Sequence, residues 1–338
     1  MDYAAASREL ILALRGPRSQ VGLSRRLGYT SNVLYSWERG RRAPVASAFF
    51  RLAARVGVDV NAGLRRFLAD RGSALPDVRR PAGVSELVRA LMTDSPIVEL
   101  AESVGADRTT VGRWVSGATE PKLPELLRIV ETTTQRLLDF VALFVDPESL
   151  PSIRGPYRDL QVQRRLAYDM PWSHGVLRAL ELARYRALPR HQPGVIAAEL
   201  GISLDEERRC LHELSRAGQI RLQRGRWVLG RVLTVDTRPS EADNRRLKLH
   251  FADAAVARLR DGSAPPSALF SFNLFAINAA DFEKIRRLHV EYYQRIRELI
   301  AASSDPDRVV LMNLQLCPLS AELPAEEADN VAKERSPE

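Results

Sequence analysis

The sequence predicts a mainly helical protein built from small units. These are two tandem five-helix units, a three-helix unit closed by a β-hairpin, and a small C-terminal α/β unit. Three observations predict this. First, residues 1–145 repeat at a fixed offset of 77 positions: Leu10 falls on Leu87, Leu14 on Leu91, Leu23 on Leu100, Leu34 on Val111, Trp37 on Trp114, Pro44 on Pro121 and Phe67 on Phe144. Self-similarity at one period marks a duplicated structural unit. Second, each copy carries two glycines twelve residues apart, Gly28 and Gly40, then Gly105 and Gly117, the spacing that two helices joined by a tight turn require. Third, apolar periodicity changes from helical to alternating near residue 220 and again beyond 267.

Composition narrows the function classes. At 338 residues, with 45% hydrophobic and 27% charged side chains, the chain reads as a globular protein of roughly two to four domains. The net charge of +8 is unevenly spread. Residues 1–80 hold 15 basic against 6 acidic side chains, whereas residues 81–150 hold 6 against 11. Residues 151–230 return to +6 and the remainder is −2. A basic first unit fits attraction to a polyanion. Cys210 and Cys317 lie far apart on apolar stretches, which suggests two buried packing residues and neither a disulfide framework nor a metal site. No basic-then-apolar segment opens the chain. The longest apolar run, at 137–145, is short and contains Asp139. A cytoplasmic, nucleoid-associated protein is expected, with no membrane partner.

In the first unit, residues 1–72, a helix over 4–14 ends at Gly16-Pro17. Ser19 can cap a second helix that runs to Leu27. Gly28 supplies the turn, where a residue without a β-carbon tolerates positive φ. A third helix is expected over 31–39 behind a Thr30 cap and ended by Gly40. Further helices follow over 45–56, opened by Pro44, and over 61–69.

The stretch SQVGLSRRLGYTSNVLYSWERGRRAP resembles the lambda-repressor/Cro class, the xenobiotic-response-element type of helix-turn-helix, over about 60 residues. Gln20, Gly28, the Ser/Thr-rich helix start and the Glu38-Arg39-Gly40 ending carry the likeness. The resemblance implies that the third helix enters the major groove. Ser31, Asn32 and Ser36, with Tyr35 beside them, then face base edges. Ser19, Gln20 and the start of helix two meet phosphate. Asn32 stands out as a base reader because an amide can bond adenine through two hydrogen bonds. Arg39, Arg41 and Arg42 are expected to hold the backbone by counterion release. Leu23, Leu27, Leu34 and Trp37 read as core.

The second copy, residues 82–147, keeps the core but not the polar pattern. Asp107 would cap its third helix, and Arg108, Thr109 and Arg113 take the base-facing positions, with Lys122 just beyond. Gln20 is replaced by Ile97, and Glu38-Arg39 by Val115-Ser116. Its acidity weakens docking on phosphate, so it reads as either an auxiliary reader or a protein-contact module.

Residues 148–171, rich in Pro, Arg and Tyr, read as a linker. Over 172–232, helices at 173–185 and 193–200, a third from a Ser203/Glu206 cap to Ala217, and an alternating hairpin around Gly225 follow the winged-helix order. Arg221, Arg224 and Arg226 are candidate wing contacts. The acidic start Asp205-Glu206-Glu207 argues against DNA and for a spacer or dimer role.

In the last unit, 238–320, an amphipathic helix at 240–260 with Leu247, Phe251, Ala254 and Leu259 on one face precedes a strand, SALFSFNLFAI. A helix at 280–301 and a second strand, DRVVLMNLQLCPL, complete it. That order permits a parallel pair. The ending DPDRVVLMNLQLCPLS resembles a poorly characterised family of bacterial regulators in which a helical front half precedes a domain of unknown function. The likeness spans about 160–320 and implies no ligand. Dimerisation across the two strands is one reading, and sensing of a small ligand or contact with a protein partner the other. Residues 321–338 read as a disordered acidic tail.

The five histidines are scattered, and no phosphate loop, dinucleotide fingerprint, zinc or nucleophile motif occurs. Neither an enzyme nor a cofactor is expected. The resulting expectation is a homodimeric transcription regulator, a repressor, that binds double-stranded DNA at a palindromic operator. The rival is an adaptor whose helical modules bind another protein.

Overall fold

The computed structural model describes residues 1–68, 76–92, 96–230 and 240–320. Among the described residues the fold is mainly helical, with one two-stranded antiparallel sheet. No described helix is long and apolar enough to cross a membrane.

The first repeat forms α1 (Tyr3–Arg15), α2 (Gln20–Arg26), α3 (Val33–Glu38), α4 (Ala46–Arg55) and α5 (Val60–Phe67). The second forms α6 (Pro81–Met92), α7 (Ile97–Val104), α8 (Arg108–Ser116), α9 (Leu123–Thr134) and α10 (Leu137–Ala142) in the same order. Local chemistry sets many of the ends. Asp2 accepts from the Ala4 and Ala5 N–H groups to open α1, and Ser19 Oγ accepts from Gly22 to open α2. Gly28 and Gly105 turn at φ of 87° and 65°, and Gly40 and Gly117 at 70° and 79°, a region where only glycine is at ease.

One helix start differs from expectation. Thr30 does not cap α3; Asn32 does, two residues later. Its Oδ1 accepts from the Tyr35 N–H and from the Ser24 hydroxyl, while Ser24 Oγ accepts from the Leu34 N–H. Buried Ser24 thus holds the chain non-helical through residue 32, which leaves α3 shorter than α8.

The two repeats share one core that runs from Ala6 to Ile153. At their junction Phe49, Phe50, Phe67, Phe140 and Phe144 form a continuous ring cluster with centroid separations of 4.9–6.1 Å. Burying each such ring stabilises by about 2–3 kcal/mol. The segments before α4 and α9 also pair as a short antiparallel bridge between Val45 and Lys122. Ala46 N donates to Pro121 O at 2.9 Å, and Leu123 N to Pro44 O at 2.8 Å.

The stretch read as a linker is not one. A single 3-10 turn (Pro147–Ser149) leads into α11 (Pro151–Asp169), a 19-residue helix. Pro151 suits a first helical position. Ile153, Leu160, Ala167 and Tyr168 then bury at helical spacing, Ser152 binds Glu9, and Arg164 pairs with Asp139 at 3.0 Å in a nearly buried bridge. These are contacts between distant residues, which composition cannot show.

Next come α12 (Trp172–Glu181), α13 (Ala183–Arg186), α14 (Val195–Leu200), α15 (Leu204–Arg216), β1 (Ile220–Gln223) and β2 (Arg226–Leu229). The expected helix at 173–185 is divided at Leu182. A second core gathers Val176, Leu180, Tyr185, Leu200, Cys210, Leu214 and Ile220. The hairpin turns on Arg224 and Gly225, both at positive φ (52° and 78°), as a tight two-residue turn needs.

The C-terminal region departs furthest from expectation. α16 (Glu241–Arg260) and α17 (Ala279–Ala302) form where helices are predicted. On α16, however, only Leu247 is buried, and Leu259 faces outward. Neither predicted strand forms, so this unit is helical and not α/β. Leu269 and Phe272 are 95% and 97% exposed. Two strands alone make a weak sheet, and register is set only where one face is buried. Within one chain most of that burial is missing: Val309 packs against the second core and the Asn313 amide donates to Phe251 O, but most of the apolar side chains of both segments stay exposed. Cys317, expected to be buried, is therefore exposed, whereas Cys210 is buried as expected. The expected tail at 321–338 lies outside the described residues.

Candidate nucleic-acid interface

The candidate interface is the outer edge of α3. Leu34 and Trp37 anchor its inner face, with Trp37 edge-on to Tyr29 at 5.8 Å. A polar tie sets its angle against α1 and α2. Arg15 Nε lies 2.5 Å from Glu38 Oε1, and the Gln20 amide donates to the other oxygen of the same carboxylate. The Arg15 and Glu38 side chains are only 18% and 9% exposed. Gln20, expected at the phosphate, instead turns inward and positions α3. The pattern that suggests a ligand contact also suits an interhelical tie, and only distance separates them.

Ser31 and Tyr35 are exposed; Asn32 and Ser36 are half-buried. Because Asn32 Oδ1 is committed to the cap, the two-bond recognition of adenine is open to it only at the expense of that cap. Its Nδ2 makes no hydrogen bond among the described residues. The Arg39 and Arg41 guanidiniums lie 5.8 and 5.3 Å from the Tyr35 ring centroid, a cation–π arrangement. Arg39, Arg41 and Arg42 are exposed, and none pairs with a carboxylate among the described residues. The Arg41 and Arg42 N–H groups donate to Ser36 O, which wraps this basic loop onto the helix end. A β-carbon on Gly40 would stand 2.9 Å from Arg8 Nη1, so a fourth cation borders the loop.

In the second repeat, α8 presents Arg108, Thr109 and Arg113 to solvent, again without carboxylate partners among the described residues. Asp107 caps it as expected. The Thr110 hydroxyl and N–H bond its carboxylate at 2.6 and 2.8 Å and hold that carboxyl below the usual range. Lys122 sits in the bridge between the repeats with its side chain exposed.

The hairpin is less basic in effect than in sequence. Arg221 and Arg224 are exposed, but Arg226 donates to Leu188 O at 3.3 Å. The acidic start of α15 is only partly a surface feature. Glu207 is fully buried and accepts from the Gly194 and Ala197 N–H groups, closing the start of α14. His191 lies 3.5 Å from it; burial pushes the imidazole down while Glu207 opposes. Asp205 and Glu206 pair with Arg208 and Arg209.

Sequence reasoning missed one basic feature. An open cleft of about 600 Å³ is lined by Arg26, Arg51, Arg55, Arg79 and Arg80, and among the described residues Arg79 alone of these pairs with a carboxylate, that of Asp77. The spacing of Arg51 and Arg55 on α4 was the available signal. The approach of Arg26 and Arg80 is tertiary.

Residues 156–319 match the model of a family described as Domain of unknown function (DUF4423). The match begins within α11, ends just before the last described residue, and leaves both repeats outside it. Comparisons with curated proteins and with solved structures found no match.

Proposed function

We propose that this protein is a sequence-specific DNA-binding regulator in which α2 and α3 act as a helix-turn-helix and α3 enters the major groove. The carrying observation is the α3 edge itself. One face of this helix is buried, the other is polar with Tyr35 exposed on it, and three arginines without a carboxylate partner among the described residues flank it. Ser31, Ser36 and the Asn32 Nδ2 are of a size and polarity to meet base edges, and Arg39, Arg41 and Arg42 suit phosphate. We place the units beyond α11 in an assembling or regulatory role, with a second copy of the chain covering the apolar segments 267–277 and 309–319. The exposure of Leu269, Phe272, Leu274 and Val310 supports that role.

Gel-shift titration of a selected operator over a range of salt tests this reading. Removing Arg42 should flatten the log–log salt slope by about 1 and weaken all sequences alike. Removing Asn32 should cost about 1–3 kcal/mol of binding and relax preference at one position. Unchanged affinity and slope in both variants would refute the assignment. The excess of acid in residues 81–150 favours a second reading, an adaptor that binds protein. An adaptor gives no specific shift and little salt dependence.

A further inference from the structure

We infer that α3 and α8 form a pseudo-two-fold pair, so that one chain spans two unlike half-sites and its operator is an inverted repeat with non-identical halves. This rests on the DNA-binding reading above.

The symmetry lies in the bridge between the repeats. Residues 44, 45 and 46 correspond to 121, 122 and 123 at the repeat offset of 77. The bridge joins Val45 to Lys122, each the other's counterpart. The hydrogen bond from Ala46 N to Pro121 O becomes the one from Leu123 N to Pro44 O when the repeats are exchanged. Only a local two-fold relation makes both bonds at once. Helix packing obeys the same exchange: α1 packs on α9, and its counterpart α6 packs on α4. Within each repeat, α1 with α3 and α2 with α3 match α6 with α8 and α7 with α8.

A two-fold operation preserves direction along its axis. Whatever component of the α3 outer face points along that axis, the α8 face shares. α3 ends at Glu38, seven residues before Val45, and α8 at Ser116, six before Lys122, a stretch that can still span about 20 Å. Seven residues reach at most about 24 Å. A separation of one duplex turn, about 34 Å, needs each helix about 17 Å from the axis, which is within reach.

The acidity of the second repeat is mostly spent away from α8. Glu86 pairs with Arg89, Asp139 with Arg164 and Glu148 with Arg158. Glu120 accepts from Ser47, Glu125 from Lys122 and Glu131 from Leu137. Glu99 and Glu102 on α7 stay exposed; at α8 the acid is Asp107, the cap, whose carboxylate accepts from the Thr110 N–H and hydroxyl. Its outer positions differ from those of α3 in chemistry. Ser31, Asn32, Tyr35 and Ser36 correspond to Arg108, Thr109, Gly112 and Arg113. Arginine pairs with guanine through two hydrogen bonds, so the half-site under α8 is the more guanine-dependent. A homodimer joined through the C-terminal segments carries two such pairs.

The test is selection of bound duplexes from a random pool with the full chain, repeated with Arg113→Ala and Arg108→Ala. The expected site holds two different motifs in inverted orientation, centred about 10 bp apart. Titration above the dissociation constant should saturate at one chain per site. Arg113→Ala should lower affinity about tenfold to a hundredfold and erase preference in one half alone. Because Arg113 is exposed and its side chain has no carboxylate partner among the described residues, its variant should melt as the parent does. A single motif or a perfect palindrome, bound in an Arg42-dependent way and indifferent to Arg108 and Arg113, overturns the inference and leaves the DNA reading standing. If no motif is enriched, both fall.

Discussion

The two repeats keep a common interior and diverge at one buried spot and along one outer edge. In the first, Arg15, Gln20 and Glu38 tie α1, α2 and α3 together. At the same three positions the second repeat has Met92, Ile97 and Val115. Met92 is buried, and Ile97 and Val115 pack against the shared core. One packing problem is therefore solved by an ion pair in one copy and by apolar contact in the other. The ionic solution carries a desolvation cost that the apolar one avoids. Polar identity at such a position thus reports how a helix is held as readily as what it binds.

Four outcomes would break or sharpen this comparison. The largest concerns the common core. Phe140→Ala should destabilise by about 3–5 kcal/mol. Trp37 and Trp114, one buried in each repeat, should report the same denaturant midpoint in variants that retain one or the other. Separate midpoints would mean two independent units. Next, Glu38→Ala should cost up to about 3 kcal/mol because it takes the carboxylate from the Arg15 Nε and the Gln20 amide, leaving Arg15 its bonds to Gly16 O and Arg18 O. Replacing Arg15, Gln20 and Glu38 together by Met, Ile and Val should instead be neutral or stabilising. A triple variant as weak as the single one would contradict that account.

Third, Asn32→Ala should cost about 1 kcal/mol through loss of the α3 cap, measured by chemical denaturation. Thr30→Ala should change little, since Thr30 does not cap. The smallest effect is acid-dependent. The Asp107 carboxyl is held below its ordinary value of about 3.9. Its stabilisation of α8 is therefore full above that value and is lost as pH falls through the lowered one. Thermal melts of Asp107→Ala and the parent should differ near neutrality and converge in strong acid. A constant gap would assign the effect to something other than the carboxylate.

Several elements are legible in the chain because their causes are local. Ser19, Asp107 and Ser203 cap helices by accepting from N–H groups three residues on. Gly28, Gly40, Gly105, Gly117, Gly201, Gly218 and Gly225 take positive φ where the pattern puts turns and helix ends, whereas Gly194 does so inside the helix expected at 193–200. The α3 edge was equally readable, since Leu34 and Trp37 fall on one face and Ser31, Tyr35 and Arg39 on the other. Thr30 misled because a competing cap depends on Ser24, eight residues from Asn32. Gln20 misled because its partner is 18 residues away.

By itself, then, the sequence determined the doubled helical unit, the places where helices start and turn, and the side chains on the outer edge of α3. Interactions within a few residues decide these, so the order of residues suffices. Tertiary structure alone decided that the repeats share one core, that α11 is a helix, and that segments 267–277 and 307–319 form no sheet among the described residues. Each depends on whether a distant surface is present to bury apolar area or complete a hydrogen bond. Adjacency along the chain carries no record of that.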